Sequence, residues 1–213
     1  MPEAPKRPYR SQLRQRQAAA TRQRIVEAAA EVFGAEGYTS ATLTKIAQLA
    51  GVSIETVVKQ GSKAALLRAA AEYSSFGTEG ASSIFDTEVG KALQALTSSD
   101  QVPGFAAEAF AVVNGRGAGL WSALTSGASE DSELASYHKV VLADIRVQAA
   151  RILGMFAERG WLRVDVEFDD VVEAFCVLSS FESYLRFVKH DGKSPQSYRA
   201  FIARTMRESI LVS

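Results

Sequence analysis

Cysteine, proline and long apolar runs are all scarce in this sequence. The single cysteine, Cys176, cannot form an internal disulfide, which is typical of a protein in a reducing compartment such as the cytoplasm. No apolar run approaches the roughly 20 residues that a membrane-spanning helix needs, and no apolar segment of a secretory signal follows the basic N-terminus. Only 5 of 213 residues are proline and 47% are hydrophobic, which excludes a disordered chain and favours a globular one.

Acidic and basic residues balance over the whole chain but are unevenly distributed along it. Residues 1–63 hold ten Lys and Arg against five Asp and Glu, whereas residues 64–213 hold fourteen against nineteen. The first 24 residues are the most basic part, with seven Lys or Arg and one acid. This distribution is expected where the front of a protein binds a polyanion, although a solvated basic tail would show it as well.

Apolar residues recur at helical spacing through most of the chain, so the sequence predicts an all-α fold. Thr42 can cap one short helix, and Ser53 can cap a second that covers residues 54–60. Between them, Gly51 suits a left-handed turn and Ala47 allows the helices to approach closely, which is the pattern of a helix-turn-helix. The second helix is polar, as a DNA-recognition helix would be. A helical hairpin within an all-α core would have a similar pattern.

A resemblance to the TetR family of bacterial transcriptional regulators extends from about Thr21 to Leu67. The residues that carry it are Ile25, Ala28, Ala29, Phe33, Gly37, Tyr38, Thr42, Ile46, Ala47, Ala50, Gly51, Val52, Ser53, Thr56, Ser62, Lys63, Leu66 and Leu67. The resemblance implies a homodimer, usually a repressor, that binds operator DNA and is released by a small-molecule effector. It also implies three parts: a flexible basic arm (1–20), a helix-turn-helix DNA-binding domain (21–66), and a helical effector-binding and dimerisation domain (67–213).

Three groups of residues are expected to contact DNA. The basic arm would lie along phosphates or in the minor groove, the start of the first short helix would anchor to the backbone, and the second helix would enter the major groove. The expected contact residues are Arg7, Arg10, Arg14, Arg16, Thr42, Thr44, Lys45, Ser53, Ile54, Glu55, Thr56, Lys59, Gln60 and Lys63.

The resemblance fails at one point in the recognition helix. The family usually has a tyrosine where Val58 stands and a phenylalanine shortly before the Gly61-Ser62-Lys63 sequence, and this chain has neither. The tyrosine typically reaches a DNA phosphate, and the phenylalanine packs the helix onto its domain. A second hypothesis therefore stays open, in which the chain is a regulator-derived helical ligand-binding or interaction module with impaired DNA binding.

The rest of the chain is predicted to form a helical effector-binding domain. Helices are expected near 63–75, 83–97, 104–113, 117–127, 131–158, 168–189 and 195–212, with breaks at Pro103-Gly104 and in the glycine-rich segment 114–119. An effector cavity between the middle helices would be lined by Phe76, Phe85, Phe105, Phe110, Trp121, Tyr137, His138, Leu142 and Arg146. Aromatic residues at helical spacing are, however, more often plain core.

The last two long helices carry apolar stripes that the resemblance assigns to a dimer interface, where two protomers would form a four-helix bundle. The expected interface residues are Phe175, Leu178, Glu182, Tyr198, Phe201, Ile202 and Thr205. The same stripes could instead belong to the core of one protomer.

Catalytic and metal-binding patterns are not convincing anywhere in the sequence. The glycines of residues 114–119 do not fit a dinucleotide fingerprint, and no histidine is placed to activate Cys176. His138 lacks a second ligand at helical spacing for a metal. We therefore expect no enzyme, no cofactor and no metal site. The expected partners are double-stranded operator DNA, a second copy of the chain and a small-molecule effector, with no membrane.

Overall fold

A computed structural model describes the backbone of residues 8–76 and 83–212, and the side chains of residues 14–74 and 83–212. Ten α-helices lie in these ranges: α1 (Pro8–Ser40), α2 (Leu43–Ala50), α3 (Ile54–Val58), α4 (Lys63–Phe76), α5 (Glu88–Gln94), α6 (Val102–Gly127), α7 (Ser132–Glu158), α8 (Phe168–Ser179), α9 (Phe181–Tyr184) and α10 (Pro195–Ser209). Short 3₁₀ turns cover Ile84–Asp86 and Ser99–Gln101, and a π-helical turn covers Leu185–His190. The prediction of an all-α fold is confirmed. No helix in the described ranges is long and apolar enough to cross a membrane.

The N-terminal part is built on helix α1, which packs against α2, α4 and α6. Its buried side chains Ile25, Ala29 and Phe33 recur every fourth residue and so lie on one face of the helix. Regular geometry is interrupted at Gly37, where φ is 76°. The chain then places Tyr38 beside the Phe33 ring, with centroids 6.1 Å apart, and turns into α2.

Residues 8–20, expected to belong to a flexible arm, are helical and continue α1 towards its N-terminus. This stretch is rich in Arg, Gln and Ala, which are strong helix formers, and Pro8 stands at its first position, where proline is tolerated. The side chains of residues 14–20 are all exposed, so this part of α1 rises from the domain without packing against it.

Helix α6 runs unbroken from Val102 to Gly127, so the break expected at 114–119 is absent and Pro103 stands in its first turn. The glycines serve close packing instead of a turn. A Cβ on Gly119 would lie 2.4 Å from the backbone oxygen of Gly34, and one on Gly117 would lie 2.4 Å from the Phe181 ring. Helices α1 and α6 therefore touch through their backbones at Gly34 and Gly119.

The long helix expected at 168–189 is interrupted at Ser180, whose backbone is extended (φ −68°, ψ 151°). The Ser180 hydroxyl accepts a hydrogen bond from the Ser183 backbone N–H at 3.1 Å and so caps α9. The helix expected at 83–97 is likewise divided at Thr87, which caps α5. Helix α10 ends at Ser209, before the expected 212, since the Val212 N–H donates to the Trp161 carbonyl at 2.9 Å.

Two hydrophobic cores divide the molecule, and α6 belongs to both. The first core joins α1–α4 to the C-terminal half of α6, including Leu120 and Leu124. The second joins the N-terminal half of α6 to α5, α7, α8 and α10, including Ala106 and Phe156. Helix α4 begins within the expected DNA-binding domain and crosses the expected boundary at residues 66–67.

Candidate DNA interface and ligand cavity

Helices α2 and α3 are joined by a tight turn centred on Gly51. Thr42 caps α2 by accepting a hydrogen bond from the Lys45 N–H at 3.2 Å, and Ser53 caps α3 by accepting one from the Thr56 N–H at 3.3 Å. Gly51 is left-handed (φ 65°, ψ 40°), and the Val52 N–H that follows donates to the Ala47 carbonyl at 3.1 Å. A side chain at Gly51 would strain this geometry. The local structure is that of a helix-turn-helix.

Helix α3 is fixed by one buried side chain and leaves most of its surface free. Val57 is fully buried, whereas Ile54 is 41% and Val58 54% exposed. Of the expected DNA contacts, the side chains of Thr42, Thr44, Lys45, Ser53, Ile54, Glu55 and Lys59 are exposed, and those of Thr56, Gln60 and Lys63 are half-buried. The exposed surface of α3 and of the residues that flank it is therefore largely polar, as is expected of the second helix of a helix-turn-helix that enters a major groove.

An arginine of α1 holds the end of α3 in place. The Arg22 guanidinium donates to the Gln60 carbonyl at 2.8 Å, just after the last residue of α3. The bond therefore ties the segment that follows α3 to α1. Nothing in the sequence around Arg22 indicates this bond, since Arg22 is one of seven basic residues among the first 24.

Two of the expected DNA-binding lysines are engaged within the protein. The Lys45 ammonium pairs with the Glu36 carboxylate at 2.7 Å. The Lys63 ammonium donates to the Thr39 carbonyl at 3.3 Å and lies 4.5 Å from the centre of the Tyr38 ring. A phosphate contact by either lysine would have to replace or share these interactions.

Glu55 places a carboxylate on the recognition helix. The Ser53 hydroxyl and then the backbone N–H of Glu55 itself lower the pKa of this carboxylate, and Lys59 lowers it further. A negative charge is unfavourable beside a phosphate but can accept a hydrogen bond from a cytosine amino group. Glu55 therefore suits a base contact better than a backbone contact.

The basic residues expected to lie in the arm are placed only in part. Arg14 and Arg16 are exposed on the N-terminal turns of α1. Arg10 lies in α1, with its side chain outside the described part of the structure, and Arg7 lies outside the described residues. Their contact with DNA stays a prediction.

A cavity of about 670 Å³ lies between α4, α6, α7, α8 and α9, and its walls are mainly apolar. Six residues expected in an effector cavity line it: Phe105, Phe110, Trp121, Tyr137, Leu142 and Arg146. His138 is absent from the described wall and packs on the Trp121 ring at 5.2 Å, where its buried Nε2 has no hydrogen-bond partner. Phe85 also lies off the wall, 5.0 Å beneath the Arg151 guanidinium. The Phe76 side chain lies outside the described residues.

Of the charged residues on the cavity wall, only Arg146 was predicted from the sequence to lie there. Arg146 of α7 is ion-paired with Glu173 of α8, and its guanidinium also lies 3.8 Å from the Asp169 carboxylate. Glu182 of α9 accepts a hydrogen bond from the Trp121 indole N–H at 2.6 Å. Burial, and next the nearby Glu72 carboxylate, raises the pKa of Tyr137 to about 12, so this phenol stays a neutral hydrogen-bonding group.

Most of the expected dimer residues are covered within one protomer. Phe175, Leu178, Tyr198 and Ile202 are buried in the second core, because α7 packs over α8, and α6 and the π-helical turn pack over α10. The Tyr198 hydroxyl accepts a hydrogen bond from the Asn114 amide nitrogen at 3.2 Å within the same protomer. The assignment of these four residues to a dimer surface is therefore corrected to intramolecular core.

The other three expected dimer residues have different surroundings. Phe201 is half-buried against the Phe187 ring, with centroids 5.2 Å apart, and Thr205 is half-buried on the same helix. Both can still contribute to an interface. Glu182 is exposed and also lines the cavity, because the break at Ser180 turns α9 towards α6.

The N-terminal part of the chain is hydrogen-bonded directly to the start of α7, a helix of the cavity wall. The Tyr38 hydroxyl donates to one oxygen of Asp131 at 3.0 Å. The other oxygen of Asp131 accepts from the Glu133 and Leu134 N–H groups at 2.9 and 3.3 Å and so caps α7. A shift of α7 would therefore move or break the hydrogen bond to Tyr38, which lies close to the start of α2.

Solved structures of bacterial regulators share this fold over nearly their whole length. The fatty acid degradation regulator FadR from Bacillus halodurans is 18% identical, with a TM-score of 0.66 over 87% of this chain and 93% of that one. A transcriptional regulator from Saccharomonospora viridis, solved with choline, is 16% identical, with a TM-score of 0.68 over 90% and 98%. A TetR transcriptional regulator from Chloroflexus aurantiacus is 16% identical, with a TM-score of 0.64 over 93% and 100%. At these identities the likeness concerns the fold alone.

Sequence comparison supports the same assignment for the front of the chain. Among curated proteins, no sequence matches. The family model described as bacterial regulatory proteins of the tetR family, however, matches residues 25–70, which hold most of α1 with α2, α3 and half of α4. Residues 25–70 therefore match the N-terminal domain of the TetR family of transcriptional regulators, and the chain as a whole shares the fold of the solved regulators.

Proposed function

We propose that the protein is a homodimeric transcriptional repressor in the cytoplasm, which binds operator DNA through α2 and α3 and releases it when a small molecule enters the cavity. The α2–α3 surface would supply specificity, and the exposed arginines of α1 would supply attraction to phosphates. No catalytic role is proposed for any residue.

The observation that carries this proposal is the sharing of α6 between two sites. Trp121 packs in the first core with α1–α4, and the same side chain lines the cavity. A ligand that displaces Trp121 therefore disturbs the core on which α2 and α3 are mounted. Such a shared element is what a coupling free energy between two binding sites requires.

A gel-shift scan of the DNA that flanks the gene of this protein tests the proposal. We expect one fragment to be retarded at protein concentrations where unrelated duplexes stay free. Substitution of Thr56 and Gln60 by alanine should abolish this preference, because Thr56 lies on α3 and Gln60 lies two residues after its end. A matched double substitution of Gln196 and Arg204 on exposed positions of α10 should leave it unchanged. Retardation that is equal for all duplexes would contradict the proposal.

A second function is favoured by the surface of α3 itself. Val58 leaves an exposed apolar side chain where a phosphate contact is expected, and Lys45 and Lys63 are engaged by their own chain. These features would suit a helical ligand-binding or interaction module whose DNA binding is impaired. The two functions differ in one observable, since this module would bind ligands in its cavity yet show no preferred fragment in the scan.

A further inference from the structure

One carboxylate on the cavity wall has no cationic partner. Glu182 accepts the Trp121 indole N–H, and no Lys, Arg or His of the described residues lies within ion-pair distance of it. Trp121 is itself held between the Phe181 ring, 5.0 Å away, and the His138 ring. The indole therefore fixes the carboxylate in place rather than neutralising it.

We propose that the cavity takes a lipophilic ligand with a cationic amine, whose positive group lies beside Glu182 and whose hydrocarbon part lies against the Phe105 and Phe110 side of the cavity. This inference rests on the proposed effector role of the cavity and names the chemical class of the effector. The cavity volume of about 670 Å³ is within the range of small-molecule sites.

The balance of charge on the wall favours a cation over an anion. The described wall carries four carboxylates, those of Glu72, Asp144, Glu173 and Glu182, against the single guanidinium of Arg146, although Glu72 also lies 3.8 Å from the Arg68 guanidinium beside the wall. Arg146 is already paired with Glu173 and close to Asp169, so an anionic headgroup would have to displace a carboxylate to reach it. A cation at Glu182 displaces none, although Glu182 itself is exposed and water weakens the charge interaction there.

Isothermal titration of the full-length protein with three probes of one chain length tests the inference: decylammonium, 1-decanol and decanoate, each below its micelle concentration. We expect decylammonium to bind about tenfold or more tightly than decanol, and decanoate to bind weakest. Glu182→Gln keeps an oxygen for the Trp121 N–H but removes the charge, so it should reduce the difference between decylammonium and decanol to less than about twofold. Glu158→Gln, at an exposed position of α7 away from the cavity wall, should retain the full difference.

Two results would overturn the inference. The first is that decanoate binds most tightly of the three probes, and the second is that Glu182→Gln keeps the preference for decylammonium. A change of oligomeric state in Glu182→Gln, measured by sedimentation with the decylammonium preference intact, would place Glu182 in a dimer interface instead.

Failure of this inference is distinguishable from failure of the proposed function. If decanol or decanoate releases the retarded DNA fragment and decylammonium does not, the cavity is an effector site of another chemical class. If no duplex is preferred while decylammonium binding still depends on Glu182, the ligand class stands and the proposed regulator does not.

Discussion

At the scale of single residues, Val58 is the position where the DNA interface differs most from the expected pattern. Its side chain is 54% exposed on α3, beside the fully buried Val57 that anchors the helix. A larger side chain can therefore be accommodated at position 58 without disturbing the core. The valine cannot donate a hydrogen bond to a phosphate, but it does not leave a gap in the core either.

We expect Val58→Tyr to tighten binding to the preferred fragment by about fivefold, since one hydrogen bond contributes roughly 1 kcal/mol. Val58→Phe is the matched control, because it adds the ring without the hydroxyl. Fluorescence anisotropy with labelled duplex measures both. An equal gain in the two variants would show that the ring, and not a phosphate bond, causes the effect.

Some residue roles could be predicted from the sequence and others could not. The caps Thr42 and Ser53 and the left-handed Gly51 follow from local chemistry, because each acts on the backbone within a few residues. The bond from Arg22 to the Gln60 carbonyl joins residues 38 positions apart, and nothing local indicates it. The indole bond that fixes Glu182 is missed for the same reason, being formed across 61 positions.

At the scale of helices, the glycine-rich stretch of α6 shows where local propensity gives the wrong answer. Glycine is a poor helix former, so residues 114–119 read as a break. The tertiary contact between Gly34 and Gly119 overrides that preference, since only glycine allows the two backbones to meet. The break at Ser180 is the opposite case. The apolar pattern predicts one continuous helix, whereas Ser180 is extended and caps a new helix, α9.

Gly119→Ala should destabilise the protein by about 1–3 kcal/mol, because its Cβ would lie 2.4 Å from the Gly34 oxygen and force α1 and α6 apart. Gly104→Ala is the control on the same helix, where a Cβ meets nothing within 4 Å. It should be neutral or stabilising by up to about 1 kcal/mol. Urea unfolding of the two variants measures the difference, and similar losses in both would argue against a backbone contact at Gly119.

Tyr38→Phe should lower the melting temperature by about 2–4 °C at neutral pH, because it removes the bond to the Asp131 cap of α7. The Leu134 N–H and then the Tyr38 hydroxyl lower the pKa of Asp131, so this stabilisation is present above the ordinary pKa of aspartate and is lost as pH falls through the lowered one. The difference between wild type and variant should therefore shrink in acid.

Calorimetric scans over a pH series check the prediction for Tyr38. Tyr73→Phe is a matched control, because it removes an exposed bond between α4 and Glu27 of α1 and leaves the α7 cap intact. A pH-independent difference for Tyr38→Phe would mean that ring packing, not the bond to Asp131, stabilises the protein at this position.

At the scale of the whole molecule, the two cores and the shared helix α6 explain why the sequence could not tell apolar stripes of the core from stripes of a dimer interface. An apolar stripe on a helix shows only that the stripe is covered. It does not show whether the cover comes from the same chain or from a partner. The fold class and helix-turn-helix depended on local pattern and could be predicted, whereas the cover of Phe175 and Tyr198 depends on how distant helices pack.

Val177 of α8 is 64% exposed, so we expect it to contribute to the proposed dimer, and Val177→Glu should give folded monomers. Phe175→Glu should instead unfold the protein, because Phe175 packs edge-on against Phe110 inside the protomer at 5.7 Å. Val164→Glu, at a position that is 92% exposed, is the control and should sediment as wild type. A folded Val177→Glu dimer would locate the interface elsewhere.

The most direct measurement of the central claim is the ratio of affinities for the preferred fragment and for a scrambled duplex of equal length, taken by anisotropy at about 0.15 M salt. A sequence-specific regulator should prefer the fragment by about 10³-fold or more. The same ratio should fall when a ligand fills the cavity, because Trp121 belongs to both the cavity wall and the core beneath α2 and α3. A ratio near one, with or without ligand, would contradict the account.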